Sequence, residues 1–255
     1  PFEKPPSEVK LDFCREDIPL DEQGHPHPDR TGYPFFVNGF GDTVRLSKFH
    51  CNYSAAYQDQ RFEGPCAGAY KVIRRWTVSD WCGSDGTPSF DQVIEVGDFS
   101  APELACTTAD AASQDTLTYS TGPFNCTAAF FIPEPEVSGE CSGYQIETAI
   151  YTYTRPTDPF GNPYGDPELV QLDVNISNGV ASGVPLGINY FVYTVTDACG
   201  NSLVSEPCVF KVVDKVEPVA ICGDNLNVSL GGSGLARLIP SDIDKGSRDN
   251  CGSVK

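Results

Sequence analysis

Twice in this chain an alternating apolar strand runs into one corner: Asp, any residue, Cys, Gly. The first copy is "RRWTVSDWCGSD" at Arg74 to Asp85 and the second is "YTVTDACGNS" at Tyr193 to Ser202. A catalytic centre needs one such corner, whereas a repeated structural module needs one per module. The residues beyond each corner repeat too. Asp80 and Cys82 lead through "QVIEV" to Asp98, Pro102 and Cys106, while Asp197 and Cys199 lead through "CVFKVVD" to Asp214, Pro218 and Cys222. Corner to second Asp is about 18 residues in one copy and about 17 in the other, an ordered match that indicates an internal repeat. Upstream, Cys51 and Cys66 stand fifteen apart, as do Cys126 and Cys141, and each second cysteine opens a small-Gly-Tyr stretch ("CAGAY", "CSGY"). The spacing predicts one module over 1–99, a second over 100–215, and the opening of a third over 216–255, which holds too little apolar material to close a core alone.

The modules read as β throughout. In "VQLDVNI" the residues Val170, Leu172, Val174 and Ile176 share one face; in "LNVSL" Leu226, Val228 and Leu230 do the same, and "NYFVYTVT" aligns Phe191, Tyr193 and Val195. This period of two belongs to half-buried strands of antiparallel sheets. With 24 Gly, 21 Pro and no Met, turns punctuate short strands, which suits a sandwich. "PSDID" at Pro240 to Asp244 is the one segment read as a short helix. "GHPHPDRTGYP" and "RPTDPFGNPYGDPE" read as ordered surface loops or extended polyproline segments on a sheet edge.

Eleven cysteines without a C-x-x-C pair point to disulfides in an oxidising, extracellular setting rather than to structural zinc. A formal charge of −18 excludes nucleic acid as a partner, since phosphates would repel the chain. No run is long and apolar enough to span a bilayer, so no membrane insertion is expected of this segment. There is no G-x-S-x-G elbow, no phosphate-binding Gly loop and no converging Ser/His/Asp set; the expectation is that the chain is not an enzyme and takes no organic cofactor. His25 and His27, held apart by Pro26, and His50 are expected in solvated loops.

The residues "GVPLGINYFVYTVTDACGNSLVSEPCVFKVVD" resemble the closing half of a hyalin-type (HYR-like) immunoglobulin-fold repeat. "RRWTVSDWCG" and "DIDKGSRDNCG" are similar to the versions found in large cell-surface adhesin and gliding proteins of Bacteroidota. The resemblance is strong over 179–251, fair over 51–106 and weak elsewhere. It implies tandem immunoglobulin-like antiparallel β-sandwich domains stapled by disulfides, export to the cell surface by the type IX route, and a role in cell adhesion, gliding, or a stalk or filament. The partners would be neighbouring repeats of the same long chain or fibre, surface glycans, or other cells. Carried onto this chain, the family's first-to-last-strand bond pairs Cys106 with Cys208. The matched intervals suggest Cys51–Cys66 and Cys126–Cys141, which leaves Cys14 with Cys82 in module one; Cys199 is unassigned, as are Cys222 and Cys251, which could bond each other.

Two readings of the acids stand side by side. Asp80, Asp85 and Asp98, with Asp197, Asn201 and Asp214, fall at loop tips and module ends, and "PSDIDKGSRDNCG" adds Asp242, Asp244 and Asp249. Such oxygens can surround structural Ca²⁺. Equally, Asp in D-x-C-G caps a tight turn through its own backbone contacts. Trp76 is expected in the core and Trp81 exposed, where it could stack on a sugar. "DTV" and "DTL" offer Thr43 and Thr116 as O-glycan acceptors in a bacterial glycoprotein. A glycan-binding module and the accessory region of a secreted hydrolase are the two alternatives to a structural segment.

Overall fold

The computed structural model describes residues 2–46, 53–81, 88–106 and 116–252. The chain divides into two compact units, neither continuous in sequence. The first comprises Pro1–Glu103, Val137–Ile146 and Val195–Leu203, and the second Leu104–Glu136, Glu147–Thr194 and Val204–Lys255.

The first unit is built on β1 (Glu8–Asp12), β2 (Phe35–Val37), β3 (Thr43–Arg45), β4 (Tyr53–Glu63), β5 (Tyr70–Asp80) and β6 (Ser89–Gly97). β4 and β5 pair antiparallel along their whole length, from Tyr53 opposite Asp80 to Glu63 opposite Tyr70. β6 continues the sheet antiparallel, and β1 closes it by pairing parallel with β6. The hairpin turns through Gly64, where a Cβ would stand 2.7 Å from the Ala69 backbone, so only glycine fits. One face of β5 buries Val72, Arg74, Trp76 and Val78. Leu11, Val72, Ile94 and Val96 make a core packed by Val9, Phe13, Ile18 and Tyr70. Trp76 lies in the core as expected, its ring 5.1 Å from that of Tyr57.

The remaining strands are β7 (Glu103–Ala105), β8 (Thr118–Ser120), β9 (Thr127–Phe131), β10 (Glu136–Ser138), β11 (Tyr144–Thr154), β12 (Glu168–Gln171), β13 (Asn175–Ser177), β14 (Val180–Pro185), β15 (Gly187–Asp197), β16 (Ser202–Val204) and β17 (Cys208–Val213). In the second unit one sheet runs β12-β11-β15-β17-β8, and a smaller one runs β13-β14-β9. Phe130 from the small sheet sits edge-on to Phe210 of the large one at 5.5 Å and stacks on Tyr119 at 3.7 Å. Phe191 and Phe210 stack at 4.1 Å, both fully buried. These rings fill a two-layer β-sandwich in which β8 pairs parallel with the last strand, β17. Tyr193, also buried, donates its hydroxyl to the Pro133 carbonyl at 2.8 Å. Tyr193→Phe is expected to cost about 1 kcal/mol in a denaturant melt, because it deletes the bond and leaves a carbonyl unpaired.

The expected alternation in "VQLDVNI" is present at Leu172, Val174 and Ile176, but the segment is two strands. β12 pairs with β11 in the large sheet and β13 with β14 in the small one, so the chain changes sheets at 172–174. "LNVSL" forms no strand: Leu226, Val228 and Leu230 are exposed, because no sheet stands beside them to cover that face. Residues 216–252 group with the second unit, where Asn250 Nδ2 donates to Thr121 Oγ1, Gly122 O and Asn125 O. α2 (Pro240–Ile243) is the short helix read from "PSDID", and α1 (Pro28–Thr31) lies within "GHPHPDRTGYP". That last stretch is not a surface loop: Pro26, Pro28 and Thr31 are buried.

Among the described residues four disulfides form, each within one unit. Cys106 bonds Cys208, the pair implied by the resemblance. The other expected pairs do not form. Cys14 bonds Cys141 rather than Cys82; Cys66 bonds Cys199 rather than Cys51; Cys126 bonds Cys251 rather than Cys141. Cys222 is an exposed thiol outside any bond. Cys51 and Cys82 lie outside the described residues. The fifteen-residue intervals misled because Cys66, Cys126 and Cys141 lie in turns outside the strands, and their partners come from segments more than 100 residues away.

Candidate functional site

The Asp197 corner shows what the motif builds in its second copy; Cys82 and Gly83 of the first copy lie outside the described residues. Asp197 Oδ1 accepts the Cys199 and Asn201 amides, both at 2.8 Å, and Oδ2 accepts Asn201 Nδ2 at 2.7 Å. The Asp197 amide in turn donates to Asn201 O. Gly200, at φ 93°, turns the chain where a side chain would strain it. The same arrangement recurs at Asp21–His25, Asn38–Asp42 and Asp158–Asn162, each with a left-handed Gly in fourth place. The corner is a self-capped turn first.

It also delivers a carboxylate to a cluster. In the first unit, ligand-type atoms of Asp98, Glu140 and Asp197 lie within 4.8 Å of one another. Asp98 follows the end of β6 and is buried; Glu140 precedes Cys141, fixed by its bond to Cys14; Asp197 ends β15, two residues before Cys199 in its bond to Cys66. Two disulfides therefore hold the segments that carry the acids. Asn201 Nδ2 ties Asp197 to the Asp98 carbonyl at 3.0 Å, and Ser142 Oγ and the Ser100 amide donate to the Asp98 carboxylate at 3.3 and 3.2 Å. Ser100 Oγ donates to Asp12 Oδ2 and receives Arg15 Nε, both at 2.6 Å.

The three acids differ in how they are satisfied. Burial pushes the Asp197 carboxyl up, but the hydrogen bonds from Asn201, Cys199 and Gly200 outweigh it and hold the group below the usual range. Burial pushes Glu140 up, and the negative charges of Asp98 and Asp197 push it further; the nearby Ser142 hydroxyl offsets part of this. Each Glu140 oxygen exposes less than 1 Å² and neither has a hydrogen-bond partner. Charged carboxylates at this spacing repel by roughly 3–4 kcal/mol per pair at an effective dielectric near 20. No ion pair among the described residues joins Lys or Arg to any of the three.

Of the acids singled out from sequence, Asp98, Asp197 and Asn201 are brought together. The others are not. Asp214 accepts Thr121 Oγ1 and the Val216 amide, Asp242 caps α2 through the Ile239 amide, Asp244 accepts the Gly246 and Ser247 amides, and Asp249 accepts the Cys251 amide. Asp80 ends β5 and joins no three-ligand group among the described residues; Asp85 lies outside them. Glu140 was missed by sequence reading, its only signal being its place directly before a cysteine.

Two other groups of potential ligands serve other ends. Cys14 and Cys141 beside Asp98 are oxidised to a disulfide and offer no thiolate. Asp21, His25 and Asp59 converge around Arg74, whose fork occupies both Asp59 oxygens. His25 is thus half-buried 3.4 Å from Asp59 rather than solvated. Trp81 is 58% exposed, and Thr43 and Thr116 are exposed; His50 lies outside the described residues.

No family model and no curated protein matches this chain. Among solved structures it is similar to mouse clustered PcdhgC3 EC1-3, at 10% identity over 83% of this chain and 68% of that one, with a TM-score of 0.23. At that score the likeness carries nothing further about this chain.

Proposed function

We propose that the chain is a non-enzymatic, tension-carrying segment of an exported surface adhesin or fibre. One observation carries this reading: the covalent connectivity of the disulfides. Cys14 is bonded to Cys141 and Cys126 to Cys251, bonds that span 127 and 125 residues. A pull applied before Cys14 and after Cys251 therefore runs through the short stretch between Cys126 and Cys141. The rest of the chain hangs as closed loops outside the covalent path. Cys66–Cys199 and Cys106–Cys208 cross-link the two loops to each other.

Such wiring suits a stalk more than a catalyst, whose lids and loops must move. Four disulfides fit an oxidising compartment, and among the described residues no helix is long and apolar enough to cross a membrane. The resemblance supplies the finer expectations of adhesion, gliding or filament formation, neighbouring repeats as partners, and export by the type IX route. Stretching single molecules by handles placed outside Cys14 and Cys251 tests the reading. Extension limited to tens of ångströms without reductant supports it, and release of several hundred ångströms without reductant defeats it.

A further inference from the structure

We propose that Asp98, Glu140 and Asp197 bind one hard divalent cation, calcium, in the first unit. The convergence of three acids is one observation, and the state of Glu140 is a second, independent one. Its two oxygens are closed to water and receive no donor, although buried polar groups are otherwise paired. The neighbouring hydroxyl, Ser142 Oγ, is directed to Asp98. Arg15, whose Nε is engaged with Ser100, makes no ion pair with the trio. A cation is the partner that this arrangement lacks.

The geometry fits calcium. Oxygens around one Ca²⁺ stand about 2.3–2.6 Å from it, so two on opposite sides are at most about 5 Å apart. The trio's 4.8 Å limit falls inside that span. Asp197 Oδ1 is filled by two amides, but Oδ2 accepts one donor and keeps a lone pair, and Glu140 can offer both of its own oxygens. All donors are hard oxygens, and the neighbouring sulfurs are locked in disulfides, which disfavours softer metals. Magnesium demands a near-ideal octahedron and retains its waters, whereas calcium accepts mixed monodentate and bidentate carboxylates. Asp98 and Asn201 also line a cavity of about 440 Å³ with Phe62, Tyr70 and Phe99.

The site is tested apart from the mechanical reading, since cation binding by the oxidised chain and its covalent extension are separate measurements. The test uses the full, oxidised chain titrated with CaCl₂, read by calorimetry and by thermal melting with and without EDTA. The expected result is saturable one-to-one binding, with a dissociation constant of about 10⁻³ M or tighter, the range of extracellular modules, and a melting rise reversed by EDTA. Glu140→Gln is expected to weaken binding at least about tenfold and to melt in EDTA no lower than the parent, because it removes a like charge; that second reading separates lost binding from lost folding. Asp244→Asn, in the other unit, is expected to bind as the parent does. Asp98→Asn repeats the test if Glu140→Gln does not fold. A parent chain whose melt ignores calcium, or a Glu140→Gln chain that binds as tightly as the parent, overturns the assignment.

Discussion

Pulled to its limit without reductant, the segment from Cys14 to Cys251 is expected to reach only about 60 Å; with reductant it should reach about 800 Å. The first figure follows from roughly 15 residues between Cys126 and Cys141 at about 3.4 Å each, plus Cα separations of 5.6 and 4.7 Å across the two bonds. The second is the contour of roughly 240 residues at the same rise. Core strength does not enter, because the bound is covalent. The double variant Cys14→Ser/Cys141→Ser gives an intermediate case. Its shortest route passes from Cys14 to Cys66, across to Cys199, on to Cys208, across to Cys106, and then to Cys126 and Cys251. That is roughly 80 residues, so about 280 Å of extension is expected. Three lengths in that order establish the wiring; a double variant that extends no further than the parent refutes it.

This connectivity could not be read from the sequence, and the reason is physical. A disulfide needs two Cβ atoms within about 4 Å, a condition on the folded chain. Spacing reports it only when the bond staples a local hairpin, and none of the four does. Local chemistry was legible by contrast. "FVYTVTDACGNS" announces a strand with Phe191, Tyr193 and Val195 on one side, ended by a turn that Asp197 caps, and each of those features forms. The pattern failed in "LNVSL", where alternation is a promise of burial that needs a second sheet to fulfil it.

The carboxylate cluster was half legible for the same reason. Asp98 and Asp197 stand out because they mark ends of apolar runs, and ends of strands gather at one pole of a sheet. Glu140 sits in "SGECSG", which looks like any solvated loop; only the Cys14–Cys141 bond carries it under the other two. Buried acids in a turn-rich protein are therefore found by asking which loops the cross-links pull inward.

Arg74→Met is expected to destabilise the first unit by about 3–5 kcal/mol, the cost of stranding a buried partner charge. Arg74 is fully buried, on the face of β5 that also carries Val72, Trp76 and Val78. Its Nε and Nη2 grip the two Asp59 oxygens at 2.9 and 2.6 Å; Nη1 donates to Thr31 Oγ1 at 2.9 Å and Nη2 to Pro26 O at 2.7 Å. The guanidinium also lies 4.2 Å from the Tyr57 ring, and Tyr57 donates to Asp21. One side chain thus joins the Pro-rich stretch before β2 to the β4–β5 hairpin. Methionine fills similar volume but leaves Asp59, itself closed to solvent, without its counter-charge. Arg74→Lys should recover little, since a single ammonium cannot reproduce the fork. Its neighbour Arg75 points to the other face, where it pairs with Asp91 in solvent; Arg75→Met should leave the melt nearly unchanged, as exposed pairs do. Strand periodicity decides the difference: in "VIRRWTV" the first arginine falls in step with the core and the second with water, so equal losses from the two variants would contradict the burial that holds this unit together.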